Sequence, residues 1–237
     1  MSKQFKNENC ASCSIERAVT GDHIFAREFF LKTARANLPQ APICNKCNNE
    51  KSKLEHYLTT VLPFGGRHPD ALENLSMLVP KRLRKNAKLH RQLSDAQSAV
   101  EIPLDVSQLE RLFCFIAREL EWYHRRIYLD DHRHTVFAMV IRSRFQAVDD
   151  PEFRIKGRNR VAESVGNGTF QYEGLEATDD PTLTVWRFSV LGGLVMGDGD
   201  LYKQLPTEIV AFTGPKQSVE QLAGLAKQRI LSFVEEK

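Results

Sequence analysis

The chain has 237 residues, of which 42% are hydrophobic, 27% charged and 9% aromatic, a balance that excludes a disordered, collagen-like or low-complexity protein. Net charge is only +3, yet residues 1–91 hold sixteen Lys/Arg against eight Asp/Glu, leaving +8 in the first part and −5 in the remainder. A basic front beside an acidic rest points to a polyanion-facing module joined to something else, and charge alone does not separate nucleic acid from other anionic surfaces.

In chain order, the first signal is a pair of Cys-x-x-Cys motifs, Cys10/Cys13 and Cys44/Cys47. Each pair can bend around one metal and offer two thiolates, so together they fit a tetrahedral structural zinc held by four cysteines. A redox pair would sit between a strand and a helix, and neither pair has a strand pattern upstream. Between the pairs lies a short extended stretch through Asp22-His23-Ile24-Phe25, then a helix or loop from Ala26 to Ala36 ended by Asn37-Leu38-Pro39. After Cys47, residues 48–58 contain no Gly, Pro or β-branched residue and read as a helix starting at the knuckle, with Pro63 and Gly65-Gly66 as the stop signal beyond it. So small a module needs its metal: zinc-finger peptides draw about 10–16 kcal/mol from zinc binding.

Six of the thirteen residues 81–93 are Lys or Arg, giving a basic helical run that is either a solvated face or a phosphate contact. Asp105 or Ser107 then caps a helix whose Leu109, Leu112, Phe113, Ile116, Ala117 and Leu120 form one apolar stripe, with Cys114 a small buried hydrophobe. Asp130-Asp131-His132-Arg133-His134 reads as a polar loop capping a helix from Thr135 to Phe145, with a metal cluster as the weaker alternative. Beyond 165 the pattern turns to strands: a turn at Gly166-Asn167-Gly168, an alternating 169–173, a strong strand over 182–191 and another over 208–212. Gly197-Asp198-Gly199-Asp200 reads as a turn, and Ser218 with Gln221 as a capping box opening a last helix with Val219, Leu222, Leu225, Ile230 and Phe233 inward. The expected fold class is therefore α+β: a metal-knit module over residues 1–95, a helical connector over 96–150 and a small mixed α+β domain over 151–237. The longest apolar run, 190–196, is far shorter than the roughly 20 residues of a membrane helix, and residues 1–9 show no apolar segment, so a soluble, cytoplasmic protein is expected.

A zinc staple would draw Asp22, His23 and the start of the following helix together. A carboxylate and the Asn48 amide are hard ligands for magnesium or manganese, a neutral His can take a proton from water, and the helix N–H groups favour an anion. No Gly-x-Ser-x-Gly occurs, and the paired thiols are better used by zinc than as nucleophiles. Cys10-x-x-Cys13, Asp22-His23-Ile24-Phe25 and Cys44-x-x-Cys47-Asn48-Asn49-Glu50-Lys51-Ser52 together resemble the zinc-stapled HNH endonucleases of the ββα-metal type, over residues 8–60. The resemblance implies His23 as general base, Asp22 and Asn48 as ligands of a single catalytic magnesium or manganese ion, Lys51 facing phosphate, and Cys10, Cys13, Cys44 and Cys47 holding structural zinc. It departs from the family in Asn48, where His is common, and in Phe25, where many members have Pro. Asn37 lies two residues too far from Cys44 for the usual base-positioning Asn, and His56 could substitute as a ligand, although a surface position suits it better.

The expected activity is hydrolysis of DNA phosphodiester bonds, leaving by resemblance a 5′-phosphate and a 3′-hydroxyl. Lys46, Lys51, Lys53 and the 81–91 run would track the backbone without reading sequence. Two alternatives fit the same residues: a non-catalytic zinc-stabilised nucleic-acid-binding module, or a nuclease subunit of a defence or mobile-element system, activated by a protein or effector through residues 100–237.

Overall fold

In the computed structural model, residue 5 and residues 7–97, 104–142, 157–195 and 207–235 are described. The chain opens on a knuckle at Cys10–Ser14 and a short antiparallel hairpin, β1 (Thr20–His23) with β2 (Gln40–Ile43), in which His23 stands opposite Gln40. The Ala11 N–H donates to the Pro42 carbonyl at 2.8 Å and locks the knuckle to the hairpin. Helix α1 (Asn45–Val61) comes directly after β2, capped by Cys44 and stopped where Pro63 and the Gly65-Gly66 pair were expected to stop it. Gly65 is required there: a Cβ would meet the Val195 carbonyl at 2.7 Å, and the Val195 N–H donates to the Gly65 carbonyl.

The β1–β2 connection holds two short 3-10 turns, Arg27–Phe29 and Lys32–Ala34. Phe25, Phe29 and Phe30 from this stretch are all buried around Phe170, with ring centroids 5.1, 5.1 and 5.5 Å from it. Phe25, which stands where proline is common in the resembled family, is thus a core residue. The basic run is broken in two: α2 (Pro69–Met77) and α3 (Val79–Leu83) precede a turn at 84–86, and α4 (Ala87–Gln97) restarts with the Asn86 side chain accepting the Leu89 N–H. Leu89 and Leu93 pack on Val61, leaving Lys81, Arg84, Lys85, Lys88 and Arg91 exposed. Arg82 is not among them; its guanidinium donates to the carbonyls of Thr59 and Glu28.

Helix α5 (Val106–Arg125) is capped by Asp105, whose carboxylate accepts the N–H groups of Ser107 and Gln108, and all six residues of its apolar stripe are buried. Cys114 packs at the edge of that core, its thiol donating toward the Val136 carbonyl. The stretch expected as a helix from Thr135 is instead strand β3 (His134–Arg142). Thr135, Val136, Val140 and Ile141 are β-branched and crowd a helix, whereas a pleated surface accommodates them. Residues 143–145 of that expected helix lie outside the described residues. The 130–134 run is a polar turn into β3, with the Asp130 carboxylate accepting the His132 N–H.

Strands β4 (Gly157–Val165), β5 (Phe170–Ala177), β6 (Thr184–Val190) and β7 (Thr207–Pro215) complete an antiparallel sheet in the order β3-β7-β6-β5-β4. The 96–150 segment therefore supplies a sheet strand as well as a helix. Alternation assigns the faces. Trp186, Phe188, Ile209, Ala211 and Ala138 face α5 and the phenylalanines of the β1–β2 connection, in one core that also takes Leu54 and Leu58 of α1. Met139, Ile141, Val210 and Phe212 face the last helix, α6 (Lys216–Glu235). Gly174 stands opposite Trp186, and a Cβ there would fall 2.3 Å from the indole, so the missing side chain makes room for the ring. Helix α6 starts directly after β7, so Ser218 lies inside it rather than capping it. Among its described side chains Val219, Ala223 and Ala226 are buried, while Leu225, expected inward, is 53% exposed. The 197–200 turn and the side chains of Ile230 and Phe233 fall outside the described residues. No described helix is long and apolar enough to cross a membrane.

Candidate active site and metal centre

Two tight turns build the metal centre. The Ser14 N–H closes on the Cys10 carbonyl at 2.8 Å with Ser14 in the left-handed region (φ 61°), which folds Cys10 and Cys13 around one point. On the far side Cys44 caps α1, and its sulfur accepts the Cys47 N–H at 3.5 Å. The four Sγ atoms lie within 4.8 Å of one another beneath Ile43 and Phe115. A tetrahedral zinc with bonds of about 2.3 Å asks for sulfurs about 3.8 Å apart, so the cluster can hold a metal ion and is compatible with structural zinc. As thiols the four share protons unevenly: the Cys47 hydrogen bond pulls Cys10 down to about 5, and the same contact with burial pushes Cys47 far up. A cation relieves that conflict by taking the place of the protons. Among the described residues no other group of three or more His, Cys, Asp or Glu converges this closely, the 130–134 run included.

The start of α1 is thereby committed to the sulfurs. The Cys47 N–H goes to the Cys44 sulfur and the Asn48 N–H to the Cys44 carbonyl, so these two are not the free anion-binding donors the sequence suggests.

Beside the sulfur cluster, β1 and α1 bring Asp22, His23 and Lys51 together. Lys51 has no exposed surface. Its ammonium donates to Asp22 Oδ2 at 2.8 Å, to the His23 carbonyl at 2.7 Å and to Glu119 Oε2 at 2.8 Å, which uses all three N–H bonds. Glu55 Oε1 lies a further 3.5 Å away. This corrects the expectation that Lys51 faces phosphate: it is an internal counter-ion joining β1, α1 and α5. Burial opposes its charge, but Glu119, Glu55 and Asp22 together outweigh burial and hold its pKa above the usual lysine range. Burial pushes Glu119 up to about 8, against the donors from Lys51 and from the Ser12 hydroxyl at 2.9 Å. Burial, with the Asp22 charge adding to it, pushes Glu55 up to about 7.

His23 is half-buried. Its Nε2 lies 3.4 Å from the Gln40 side-chain nitrogen, and its buried Nδ1 has no hydrogen-bond partner. Burial first, then the charge of Arg27, holds its pKa below the ordinary 6.5 despite Asp22, which favours the neutral imidazole. Helical spacing puts Asn48 on the same face of α1 as Lys51 and Glu55. His56 is exposed. Asn37 is an exposed turn residue with φ 56°, and the amide beside His23 is that of Gln40. Lys46 and Lys53 are exposed.

Three residues of this centre are not singled out by the sequence: Glu119, Glu55 and Gln40. Glu119 had a signal, a carboxylate at the edge of the apolar stripe of α5 where a charge needs a buried partner. Glu55 also had one, a second acid four residues after Lys51. Gln40 had none, because its place opposite His23 depends on the hairpin register. No protein-family model, curated protein or solved structure matches the chain.

Proposed function

We propose that the protein is an HNH-type endonuclease that hydrolyses DNA phosphodiester bonds with His23 as general base, one magnesium or manganese ion beside Asp22, and structural zinc on Cys10, Cys13, Cys44 and Cys47. The observation that carries this reading is a half-buried imidazole next to a partly exposed Asp22, on a hairpin-then-helix unit that the four cysteines staple. Nε2, the nitrogen that faces the Gln40 amide, carries the lone pair that takes a proton from water when water replaces that long contact.

The donor chemistry suits a hard divalent ion. Asp22 and Glu55 offer carboxylates, Asn48 an amide oxygen, and the buried Glu55 Oε1 has no hydrogen bond. Three carboxylates around one ammonium leave two negative charges in excess when all are ionised, which a divalent cation matches. The ion would neutralise charge building on the phosphate and on the leaving oxygen. Lys51 and Glu119 position Asp22 and the β1 backbone and do not touch substrate. The exposed Lys46, Lys53, Lys81, Arg84, Lys85, Lys88 and Arg91 supply salt-dependent contacts to the DNA backbone.

A second reading, a non-catalytic zinc-stabilised nucleic-acid-binding module, draws on one observation: Asp22 already has a cation, Lys51, at 2.8 Å. The test is conversion of supercoiled plasmid with magnesium or manganese by wild type and by His23→Ala at equal zinc content. Nicking or linearisation by wild type, reduced at least about 100-fold in the variant, is the expected result. Equal cutting by both removes His23 from the chemistry. Plasmid binding without cutting by either, across both metals, favours the second reading.

A further inference from the structure

Gln40, the residue in contact with His23, also lines an open cleft of about 550 Å³ between the 37–40 turn and the end of α5. We propose that this cleft takes the base of one unpaired nucleotide next to the phosphate being cut, an inference that rests on the nuclease reading for its position but not for its chemistry. The size lies within the range of small-ligand sites, about 300–1,000 Å³. Its lining combines the flat groups and the polar edges that a nucleobase needs. Tyr123 is half-buried, and the Arg126 guanidinium lies over the Trp122 indole with its carbon 4.1 Å from the ring centroid. Guanidinium and phenol planes can each accept a base by its π-face. Asn37 and Gln40 contribute amides, each with donor and acceptor, able to meet a base edge.

The same lining disfavours a phosphate. Glu8 brings a carboxylate to the cleft, and the one cation among its described lining residues, Arg126, is spread against an aromatic face. A base still paired within a duplex is also disfavoured, because only its groove edges are accessible and its faces are stacked on its neighbours. The ligand class is therefore an unpaired base, from a single strand, a gap or a flipped nucleotide. Gln40 links this subsite to the chemistry: a base seated against its amide engages the residue that sits 3.4 Å from His23 Nε2.

Two measurements separate this proposal from the nuclease reading. The first is quenching of Trp122 fluorescence by a single-stranded pentadeoxyadenylate, and by the abasic pentamer of the same length, in buffer without magnesium or manganese. The expected result is tighter binding of the base-bearing strand, lost roughly tenfold in Tyr123→Ala and in Arg126→Ala at unchanged zinc content and melting temperature. Arg126→Lys, which keeps the charge but not the plane, should stay weak. Equal binding of both pentamers, or full recovery by Arg126→Lys, overturns the proposal in favour of simple charge attraction. The second measurement is plasmid cutting by the same proteins. Base-dependent quenching without cutting leaves the cleft standing and removes the nuclease reading. Cutting without base-dependent quenching does the reverse.

Discussion

Glu119 and Glu121 lie two residues apart on α5, both with no exposed surface, yet each belongs to a different half of the molecule. Glu119 faces the sulfur cluster and the hairpin, where its partners are the Lys51 ammonium and the Ser12 hydroxyl. Glu121 faces the sheet, where Oε1 accepts from the Trp186 indole at 2.6 Å, the Thr184 hydroxyl at 2.6 Å and Arg125 at 3.0 Å. In the first half, strands of only four residues are tied by four sulfurs and one ammonium, besides the phenylalanines that their connection sends into the shared core. In the second, strands of seven to nine residues pair edge to edge, and β3 and β7 alternate their side chains between two apolar layers. Stability concentrated in a few point contacts fails all at once when one is removed, whereas stability spread over a sheet declines by degrees.

The contrast is broken most severely at the sulfurs. Cys44→Ala removes one of the four clustered sulfurs, the cap of α1 and the acceptor of the Cys47 N–H together. Bound zinc should fall from one per chain to none, by atomic absorption, and amide protons of β1 and β2 should exchange freely. The scale of the loss is that of zinc binding itself in small fingers, about 10 kcal/mol or more. Sheet amides in β6 and β7 should keep more of their protection, and equal loss in both halves would show that point contacts and sheet do not differ in this way.

Lys51→Met comes next. It leaves Glu119 and Asp22 without their buried cation, which costs about 3–5 kcal/mol in urea denaturation. On the sheet side, Gly174→Ala pushes a methyl into the Trp186 ring and should cost about 1–3 kcal/mol, with the indole shifted rather than the fold lost. A larger cost for Gly174→Ala than for Lys51→Met would reverse the ranking of the two halves.

The ease of reading the sequence divides along the same line. The cysteine pairs, the capped start of α1, the stripe of α5 and the strands at 170, 184 and 207 were all legible, because each depends on spacing within a short window. Strand β3 was not, since its apolar residues fit a helical stripe as well as a strand, and only pairing with β7 decides between them. The place of Lys51 was also hidden: a lysine two residues before an exposed lysine looks like surface until Glu119, 68 residues away, closes over it. Long-range ion pairs leave one weak trace in sequence, a charge on an apolar face, and Glu119 is that trace.

The smallest expected effect is a gain, and it tests whether the point contacts of the first half carry an uncompensated charge. Glu55 has a pKa near 7 rather than its ordinary 4.5 because burial and Asp22 disfavour its ionised form. The folded state therefore holds this proton more tightly than the unfolded chain, so the contribution to stability is full below about pH 4.5 and is lost as pH rises through 7. Glu55→Gln removes the ionisation while keeping the shape. In the absence of added magnesium or manganese, the variant should match wild type near pH 4.5 and exceed it by about 1 kcal/mol at pH 8, a modest gain because the side chain retains some contact with solvent. If a divalent ion sits against Glu55, adding magnesium or manganese at pH 8 should stabilise wild type and leave Glu55→Gln nearly unchanged, reversing their order. A variant that stays more stable at every metal concentration would remove Glu55 from the ion's ligands and leave Asp22 and Asn48 to hold it.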